Sequence, residues 1–416
     1  MFNMFRAMTV AIVLSACATE IAPTCAAGNA GLTLPPGFCA QIVADSVGTA
    51  RHIAVATNGD LFIALRDTTA SAVVLRDADG DGIAEQRQRF GARGGTGIAF
   101  FDNHLYLSTD TSIVRIPWSD GALVPTGTPE TIVTELAVQR GHSAKPFTIA
   151  TDGSLYVTIG APSNACQEKD REAGSKGMDP CPLLETSGGI WRFDARKPMQ
   201  RFADGVRFAT GLRNVVALTV GPDGSSLWAL QHGRDLLSGN WGKQHTVFTD
   251  QKSAENPAEE FFRIEQGKDY GWPYCYYDVD LKQKVLSPEY GGDGQTVGRC
   301  ATVEQPLVAF PGHWAPESIV FYSGSAFPAE YQGGAFVAFH GSWNRAPLPQ
   351  AGFNVSFVSF ANGQPNGTYR IFADGFRGDS TQQLNRPMGL AVTSDGALIV
   401  GDDKGGRIYR IWYPNP

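Results

Sequence analysis

The chain has 416 residues, including 48 Gly and 25 Pro, with 43% hydrophobic and 18% charged residues. This composition is typical of a globular protein rich in tight turns, and it argues against a helical bundle or a disordered chain. The formal net charge of −7 provides no basic face. Nucleic acid and anionic membrane surfaces are therefore excluded as expected partners, and a small-molecule ligand is expected.

The N-terminal segment 1–27 is predicted to be a signal peptide. Arg6 precedes an apolar run that is too short to span a bilayer as a permanent helix. Two cleavage sites compete: the residues ending at Cys17 resemble a bacterial lipobox, and Thr24–Ala27 resemble a conventional site. The lipobox is preferred, so we expect Cys17 to carry lipid. That places the protein in the periplasm or cell envelope, with a lipid anchor as its contact with the membrane.

Six cysteines remain if Cys17 is consumed by lipid, an even number for an oxidising compartment. Pairing of sequence neighbours is favoured, although the sequence alone allows other connectivities. No Cys-x-x-Cys-His haem motif occurs, so electrons from any redox reaction would leave to a separate carrier. The expected disulfides are Cys25–Cys39, Cys166–Cys181 and Cys275–Cys300.

One pattern recurs along the rest of the chain: an apolar stretch, a turn with Asn-Gly, Asp-Gly or a near relative, and an alternating strand. The turn residues supply the positive φ that two-residue hairpins require. Most copies are followed by a further strand, as at 72–76 and 189–193. The six copies begin at Ile53, Gly97, Phe147, Leu218, Ser318 and Leu390.

Each copy predicts a small antiparallel meander that cannot bury both of its faces alone. Packing six such sheets around an axis hides those faces against neighbours. The sequence therefore predicts one all-β domain over residues 28–416, a six-bladed β-propeller of four-stranded antiparallel blades. A two-sheet sandwich is the alternative, but six similar units would be unusual for it. The long segments 163–187 and 233–312 are expected at the rim.

A group of carboxylates follows the first copy. Asp77, Asp79 and Asp81 alternate, Gly82 occupies the sixth position, and Glu85 follows. Several oxygens could converge at this spacing, which resembles a shortened calcium loop. We expect a structural calcium site on a blade edge, with an acidic turn that binds no metal as the alternative.

Polar residues stand just before three of the inner strands, where they would face the mouth of the central channel. His142 precedes the third copy, and a neutral imidazole there could accept a proton from a hydroxyl. Arg213 and Asn214 precede the fourth copy and suit a flat acid with several carboxylates. Arg386 precedes the last copy. A hydrogen-bonded core histidine and surface salt bridges are the structural alternatives.

Two turns follow second strands and return toward the axis. The carbonyls of Gly233 and Arg234 are candidate ligands for a hard cation such as calcium, although a purely structural turn would look the same. At 340–345, Trp343 could cover a planar ring while His340 or Arg345 meets its polar edge. We expect these three residues to contact a cofactor.

In combination, these motifs resemble the soluble pyrroloquinoline-quinone (PQQ)-dependent glucose/sorbosone dehydrogenase family, and within it the bacterial sorbosone and pyranose dehydrogenase branch. The resemblance covers Leu34 to the C-terminus. It implies a six-bladed propeller with PQQ across the channel mouth above a calcium ion. The motifs that carry it are His142, Leu212-Arg213-Asn214, His232-Gly233, Tyr270-Gly271-Trp272-Pro273 and His340–Arg345.

The resemblance also implies individual roles. His142 matches the family's catalytic base, Arg213 and Asn214 match residues that grip the quinone, and the carbonyls of Gly233 and Arg234 match those that hold calcium.

Other positions depart from the soluble glucose enzymes. Arg386 matches the first of two arginines, but the second falls at Met388. The acidic residue beside the base is Gly141 here, and the proline after His-Gly is Arg234. The resemblance therefore does not imply that glucose is the substrate.

The implied reaction is oxidation of a sugar or related polyol, with His142 taking the hydroxyl proton and hydride passing to the quinone. Electrons would then move to a separate acceptor, a cytochrome or a quinone. Two other functions stay open. A calcium-dependent lactonase-type propeller would need several carboxylate or amide side chains on its metal, and a carbohydrate-binding propeller would need no catalytic base.

Overall fold

The computed structural model describes residues 24–377 and 385–414. The predicted lipidation site, Cys17, lies outside the described residues. No helix within these two ranges has the length and apolar character needed to cross a membrane.

The described chain forms six main sheets, each built on four antiparallel strands, and one of them has a short fifth strand that pairs in parallel. The first strand in sequence is β1 (Cys39–Ala44). Blade 1 comprises β2 (Ala50–Val55), β3 (Leu61–Leu65), β4 (Ala72–Arg76) and β5 (Gln86–Phe90). Blade 2 comprises β6 (Ile98–Phe101), β7 (His104–Ser108), β8 (Ile113–Pro117) and β9 (Glu130–Thr134). Blade 3 comprises β10 (Phe147–Ile149), β11 (Ser154–Ile159), β12 (Gly189–Asp194) and, after the short β13 (Gln200–Arg201) that pairs with β9, β14 (Val206–Thr210).

The remaining blades follow the same plan. Blade 4 comprises β15 (Val215–Val220), β16 (Leu227–Gln231), β17 (Glu259–Ile264) and, after the hairpin β18 (Cys275–Asp278) and β19 (Gln283–Leu286), β20 (Val308–Phe310). Blade 5 comprises β21 (Pro316–Phe321), β22 (Ala335–Phe339), β23 (Asn354–Val358) and, after the hairpin β24 (Phe360–Ala361) and β25 (Gln364–Pro365), β26 (Arg370–Ala373). Blade 6 comprises β27 (Pro387–Val392), β28 (Leu398–Asp402), β29 (Ile408–Trp412) and β1.

In the part of the chain that the structure describes, helices are short and lie outside the blade strands. Two are α-helices, α1 (Leu237–Trp241) and α2 (Asp250–Glu255), and both belong to the long segment 233–312 that was expected at the rim. The 3-10 helices are Ala27–Gly31, Pro182–Glu185, Phe202–Asp204, Pro288–Tyr290, Gly298–Thr302 and Ala329–Tyr331.

The first strands of the six blades contact one another in a closed ring around the central channel. They are β2, β6, β10, β15, β21 and β27, and each contains the start of a predicted repeat or directly follows it. The predicted six-bladed propeller is therefore confirmed. In blade 1 the turn between β2 and β3 places Gly59 at a φ of 92°, a conformation that an L side chain rarely adopts.

Hydrophobic burial occurs between blades. In β3, Leu61 and Ile63 pack toward blade 6, while Phe62 packs toward blade 2, because successive side chains point to opposite faces. Six such clusters fill the six junctions between neighbouring blades. A single blade would expose one or both of these faces, so the blades are stable only as a ring.

The ring is closed by pairing the first strand with the last. β1 lies antiparallel to β29, with Cys39 opposite Trp412 and Ala40 opposite Ile411. The Cys25–Cys39 disulfide fixes the segment before β1. Cleavage after Ala27 would remove Cys25, so this disulfide requires a mature chain that begins earlier. The predicted pairs Cys166–Cys181 and Cys275–Cys300 are also formed.

The hairpin connection determines which residues meet at the channel mouth. Because the second strand of each blade runs antiparallel to the first, its end returns to the level at which the first strand starts. Residues before β10, β15, β21 and β27 therefore share one mouth with residues after β11, β16, β22 and β28. This geometry explains why polar groups from distant parts of the sequence converge.

Below the mouth, the inner strands enclose a separate channel cavity of about 260 Å³. His52 lines it and donates from Nε2 to the carbonyl oxygen of Glu317, 2.9 Å away. Arg51 pairs with Glu317 at 3.5 Å and with Asp403 at 3.0 Å, and Glu317 also lines the mouth cavity. Burial, with the charge of Arg51 adding to it, lowers the pKa of His52 to about 4.

We predict that His52→Gln reduces the acid sensitivity of the fold. Between the unfolded pKa of His52, about 6.5, and its folded pKa of about 4, the unfolded chain binds more protons, so stability falls as pH falls through this window. Glutamine can still donate to Glu317 but does not titrate. The loss of unfolding free energy between about pH 7.5 and about pH 5 should shrink by roughly 2 kcal/mol, measured by urea denaturation. An unchanged loss in the variant would contradict the assignment.

Candidate active site at the channel mouth

The mouth holds a cavity of about 390 Å³, within the range of small-molecule sites. It is lined by loops that precede first strands and follow second strands. Most of the residues predicted from sequence to bind a ligand lie together there: His142, Arg213, Asn214, Gly233, His340, Trp343 and Arg386.

His142 lies in the loop before β10 with a φ of 51°. Gln139 holds this conformation by donating from Nε2 to the carbonyls of His142 and Gly160, both at 2.6 Å. The His142 Nδ1 lies 2.5 Å from the carbonyl oxygen of Ala161. Since a carbonyl can only accept, Nδ1 carries the proton in the neutral ring and Nε2 keeps a lone pair.

The pKa of His142 is lowered to about 3, first by burial and then by the positive charge of Arg213. The imidazole is therefore neutral over the ordinary pH range. It can accept a hydrogen bond or a proton at Nε2, as a general base must.

Asn214 lies beside His142 at the start of β15. Gly160, at the end of β11, separates the two: a Cβ on Gly160 would lie 2.7 Å from the His142 Cβ and 2.9 Å from the Asn214 Oδ1. A glycine is needed here because both side chains approach the backbone closely. His142 and Asn214 thus form one wall of the cavity.

Arg213 is buried, and protein groups already occupy most of its donors. Nη1 donates to the carbonyl of Gly233 at 2.9 Å, and Nη2 donates to Asp235 Oδ2 at 3.0 Å. Nε and Nη2 also donate to Asn164, at 3.3 and 3.2 Å. Four of its five N–H groups are therefore used within the protein, and the guanidinium mainly shapes the mouth.

Asp235 connects several loops of the mouth. Its Oδ2 accepts from Arg213 and from Arg171, both at 3.0 Å, and its Oδ1 accepts from Asn344 Nδ2 at 3.0 Å. His313 Nδ1 lies 3.5 Å from the same Oδ1. Burial acts to raise the pKa of Asp235, but Arg213, His313 and Arg171 outweigh it and hold the pKa well below its usual range.

Two further titratable residues line the cavity. Burial raises the pKa of Glu259, whose oxygens accept from the backbone N–H groups of Gly233 and Ala315. Burial acts to lower the pKa of His313, but the hydrogen bond and charge of Asp235 outweigh it and raise that pKa. Both shifts move the cavity toward positive charge, which favours an anionic ligand.

Arg386, which precedes β27 of blade 6, and His340, which follows β22 of blade 5, form another side of the mouth. Arg386 donates from Nε to the carbonyl of His340 at 2.9 Å and from Nη2 to that of Gly341 at 2.6 Å. His340 Nε2 lies 2.6 Å from Asp403 Oδ1. Next to them, Trp343 is 69% exposed although it lines the cavity, which makes it a free aromatic surface at the rim.

The predicted cofactor contact of Arg345 is not supported. Its guanidinium is buried and donates to the carbonyls of Ala254 at 2.6 Å and Gly312 at 2.9 Å, and it pairs with Glu255. These contacts anchor α2 outside the cavity. Arg345 follows Trp343 by two residues, but the turn directs its side chain into the protein.

The side chain of Arg234 departs from the cavity, although the role predicted for this residue concerned its backbone carbonyl. Its guanidinium pairs with the buried Glu289, and it lines a smaller neighbouring space rather than the mouth. Gly233 lines the mouth cavity, and its carbonyl already accepts from Arg213. Calcium binding by the carbonyls of Gly233 and Arg234 stays a prediction, and at Gly233 it would use the second lone pair of the oxygen.

The acidic loop Asp77–Glu85 lies on blade 1, outside the mouth. One ligand oxygen from each of Asp77, Asp79, Asp81 and Glu85 lies within 4.8 Å of the others. Backbone N–H groups already donate to several of these carboxylates, as Gly80 and Gly82 do to Asp77, both at 2.7 Å. Calcium binding at this loop stays a prediction.

Sequence reasoning missed several residues of the mouth, namely Arg171, Asp235, Glu259, His313 and Glu317. Arg171 and His313 lie in long segments between repeats, where no periodicity applies. Asp235 directly follows the Gly233-Arg234 turn, so its position beside a predicted mouth residue could have indicated it.

We predict that Asp235→Asn destabilises the protein strongly, because Arg213 would remain buried without its counter-charge. The free energy of unfolding should fall by about 3 kcal/mol, measured by denaturant titration. Asp102→Asn is the control, since Asp102 pairs with Arg196 with both side chains about half exposed, and its loss should cost less than about 1 kcal/mol. Equal losses in the two variants would show that Asp235 does not organise the mouth.

The chain is similar to two curated proteins over about half of its length. Among curated proteins, the chain is 28% identical over 207 residues to an uncharacterized protein of Borreliella burgdorferi, covering 49% of this chain and 48% of that protein. It is 27% identical over 237 residues to a pyrroloquinoline quinone-dependent pyranose dehydrogenase of Coprinopsis cinerea, covering 48% of this chain and 30% of the relative. The chain thus spans half or less of the length of these curated relatives.

Solved structures share the fold. The iodide structure of a Trichoderma reesei carbohydrate-active enzyme of family AA12 superposes with a TM-score of 0.76 at 19% identity, covering 92% of this chain and 98% of that chain. The holo form of the pyranose dehydrogenase PQQ domain from Coprinopsis cinerea gives 0.75 at 19% identity, covering 92% and 97%. The PQQ-bound aldose sugar dehydrogenase of Streptomyces coelicolor gives 0.57 at 17% identity, covering 91% and 99%.

A family model matches nearly all of the propeller, from residue 32 to residue 413. The resemblance predicted from the mouth motifs is consistent with this match, since the relatives include PQQ-dependent sugar dehydrogenases. The chain belongs to the TrAA12-like family.

Proposed function

We propose that this protein is a PQQ- and calcium-dependent dehydrogenase that oxidises a sugar or related polyol. The observation that carries the proposal is the neutral His142, whose free Nε2 lone pair accompanies three arginines in one mouth cavity. The names of the pyranose and aldose sugar dehydrogenases among its relatives support the same class.

The residues of the cavity fit an acidic, planar cofactor. The volume of about 390 Å³ suits a ligand of this size, and the arginines suit its carboxylates. Toward the described residues, the Arg386 side chain uses two of its five N–H groups, both on backbone carbonyls. Trp343 offers an exposed aromatic face. Arg386, Asn214 and Trp343 would therefore hold the cofactor, with Arg213 supporting the wall behind it.

Oxygen atoms at the base of the cavity fit calcium. Glu317 is buried, and its Oε2 has no hydrogen-bond partner among the described residues, although Arg51 lies 3.5 Å away. The carbonyl of Gly233 supplies a second oxygen. Calcium prefers oxygen ligands and tolerates irregular geometry, so these groups would contribute to a site shared with the cofactor.

His142 would take the proton from the substrate hydroxyl at Nε2. Its Nδ1 bond to Ala161 fixes the ring orientation. Negative charge that develops on the reacting groups would stabilise the imidazolium formed by this proton transfer, which is disfavoured in the protein alone. When bound, PQQ supplies the two-electron acceptor for the carbon-bound hydrogen. The electrons would then leave to a separate acceptor, a cytochrome or a quinone.

The three disulfides fit an oxidising cell-envelope compartment, so we place the enzyme in the periplasm or cell envelope. The lactonase-type alternative is less well supported. Within residues 24–377 and 385–414, the cluster of four carboxylates that could share a metal lies on blade 1 and not at the mouth. A propeller that only binds carbohydrate would not need the neutral base.

Reconstitution tests the proposed function. Purified protein freed of metal and cofactor should gain dye-reducing activity on a panel of sugars and polyols only when both PQQ and calcium are added. Omission of either is the control. Hydrolysis of lactones without PQQ, or inactivity on every sugar despite PQQ binding, would refute the dehydrogenase assignment.

We predict that His142→Gln lowers kcat by about 10²- to 10⁴-fold while PQQ binding changes little, because the amide cannot accept the proton. Dye reduction and quenching of tryptophan fluorescence by PQQ measure the two quantities. His245→Gln is the matched control, since His245 packs on Trp241 and Phe248 outside the cavity. Near-normal kcat in His142→Gln would exclude His142 as the base.

A further inference from the structure

We propose that Arg171, on the disulfide-bounded loop Cys166–Cys181, binds a carboxylate group of the ligand that occupies the mouth. The inference rests on the proposed function for the identity of that ligand. Arg171 lines the cavity together with Arg213 and Arg386.

The count of free donors distinguishes Arg171 from the other two arginines. Toward residues that the structure describes, Arg213 uses four of its five N–H groups and Arg386 uses two. Arg171 makes one hydrogen bond to a described residue, from Nη2 to Asp235 at 3.0 Å. Its Nε lies 3.8 Å from Asp170, too far for a hydrogen bond. Arg171 therefore has the most donors left for a ligand.

The loop holds the backbone of Arg171 in one conformation. The residue has a φ of 59°, in the left-handed region. Its N–H donates to Gln167 Oε1 at 2.9 Å, and the buried Gln167 in turn donates to the carbonyls of Glu172 and Ser175. A non-glycine residue kept in this conformation by its surroundings is frequent at ligand-binding positions. The fixed backbone and the bond to Asp235 together limit where the guanidinium can lie, so less entropy is lost when a ligand binds.

Neighbouring contacts place Arg171 at the rim rather than at the base. Its side chain is 39% exposed, against 5% for that of Arg213, and both guanidiniums bond to the same oxygen of Asp235. The other oxygen of Asp235 accepts from Asn344, which adjoins the exposed Trp343. A ligand lying against Trp343 would thus meet the free edge of Arg171.

Guanidinium binds carboxylate through two parallel hydrogen bonds. Two ligands could supply that carboxylate: PQQ itself, or a sugar substrate that carries an acid group. The exposure of Arg171 is compatible with either source, and the experiment separates them.

The test compares Arg171→Gln with Lys169→Gln. Lys169 lies on the same loop, is 71% exposed, pairs with Glu172 and does not line the cavity, so its replacement removes the same charge without removing the contact. One arm measures PQQ binding to apoprotein with calcium by fluorescence quenching. The other measures binding of D-glucuronate and D-glucose to apoprotein by calorimetry. Thermal melting checks that each variant is folded.

We expect Arg171→Gln to weaken at least one carboxylate ligand by about 10-fold or more, since a charge-assisted hydrogen bond is lost, with glucose binding unchanged. Arg171→Lys should retain part of the affinity, and Lys169→Gln all of it. Weakening of PQQ alone assigns the carboxylate to the cofactor, and weakening of glucuronate alone assigns it to the substrate.

Wild-type affinity of Arg171→Gln for both PQQ and glucuronate would overturn this inference and leave the proposed function standing. A wild-type protein that binds neither ligand would overturn both. Equal weakening by Lys169→Gln would show that only the long-range charge of the loop matters, which also overturns a direct contact.

Discussion

The pairing of β1 with β29 is the constraint on which the rest of the structure depends. Every blade buries its two faces against neighbours, and blade 6 acquires its outer strand from the beginning of the chain. Without that strand the clusters on both sides of blade 6 would be open, because Val43 and Ala40 contribute to them. The site at the mouth therefore depends on ring closure, since the mouth loops are brought together only when all six inner strands surround one axis.

At the mouth, charge imposes a second constraint. Arg213 is almost fully buried, and a buried cation is tolerated only with a partner and satisfied donors. Asp235 and Asn164 meet this requirement, and Asp235 extends the same network to Arg171 and Asn344. The network fixes loops from blades 3, 4 and 5 relative to one another. Among the described residues, groups without a full set of partners line the cavity, including His142 Nε2 and the guanidinium edges of Arg171 and Arg386.

The repeat pattern was sufficient to predict the six blades, because hairpin turns and alternating strands have local signatures. It also indicated His142, Asn214 and Arg386, since a residue before an inner strand must lie at the mouth. The strand β1 was not predicted, because its partner lies at the opposite end of the chain. Arg345 was assigned to the ligand because sequence proximity to Trp343 does not reveal where a side chain points. Arg171 and His313 come from long loops, whose paths depend on tertiary contacts and on the Cys166–Cys181 disulfide.

Buried ion pairs restrict how the sequence of this fold can vary. Arg51, Glu317 and Asp403 come from blades 1, 5 and 6, and Arg51 pairs with both acids. Because a buried charge that loses its partner destabilises the fold, a substitution at one of these positions is tolerated only with a compensating change at another. Three blades are thereby constrained to evolve together at this point.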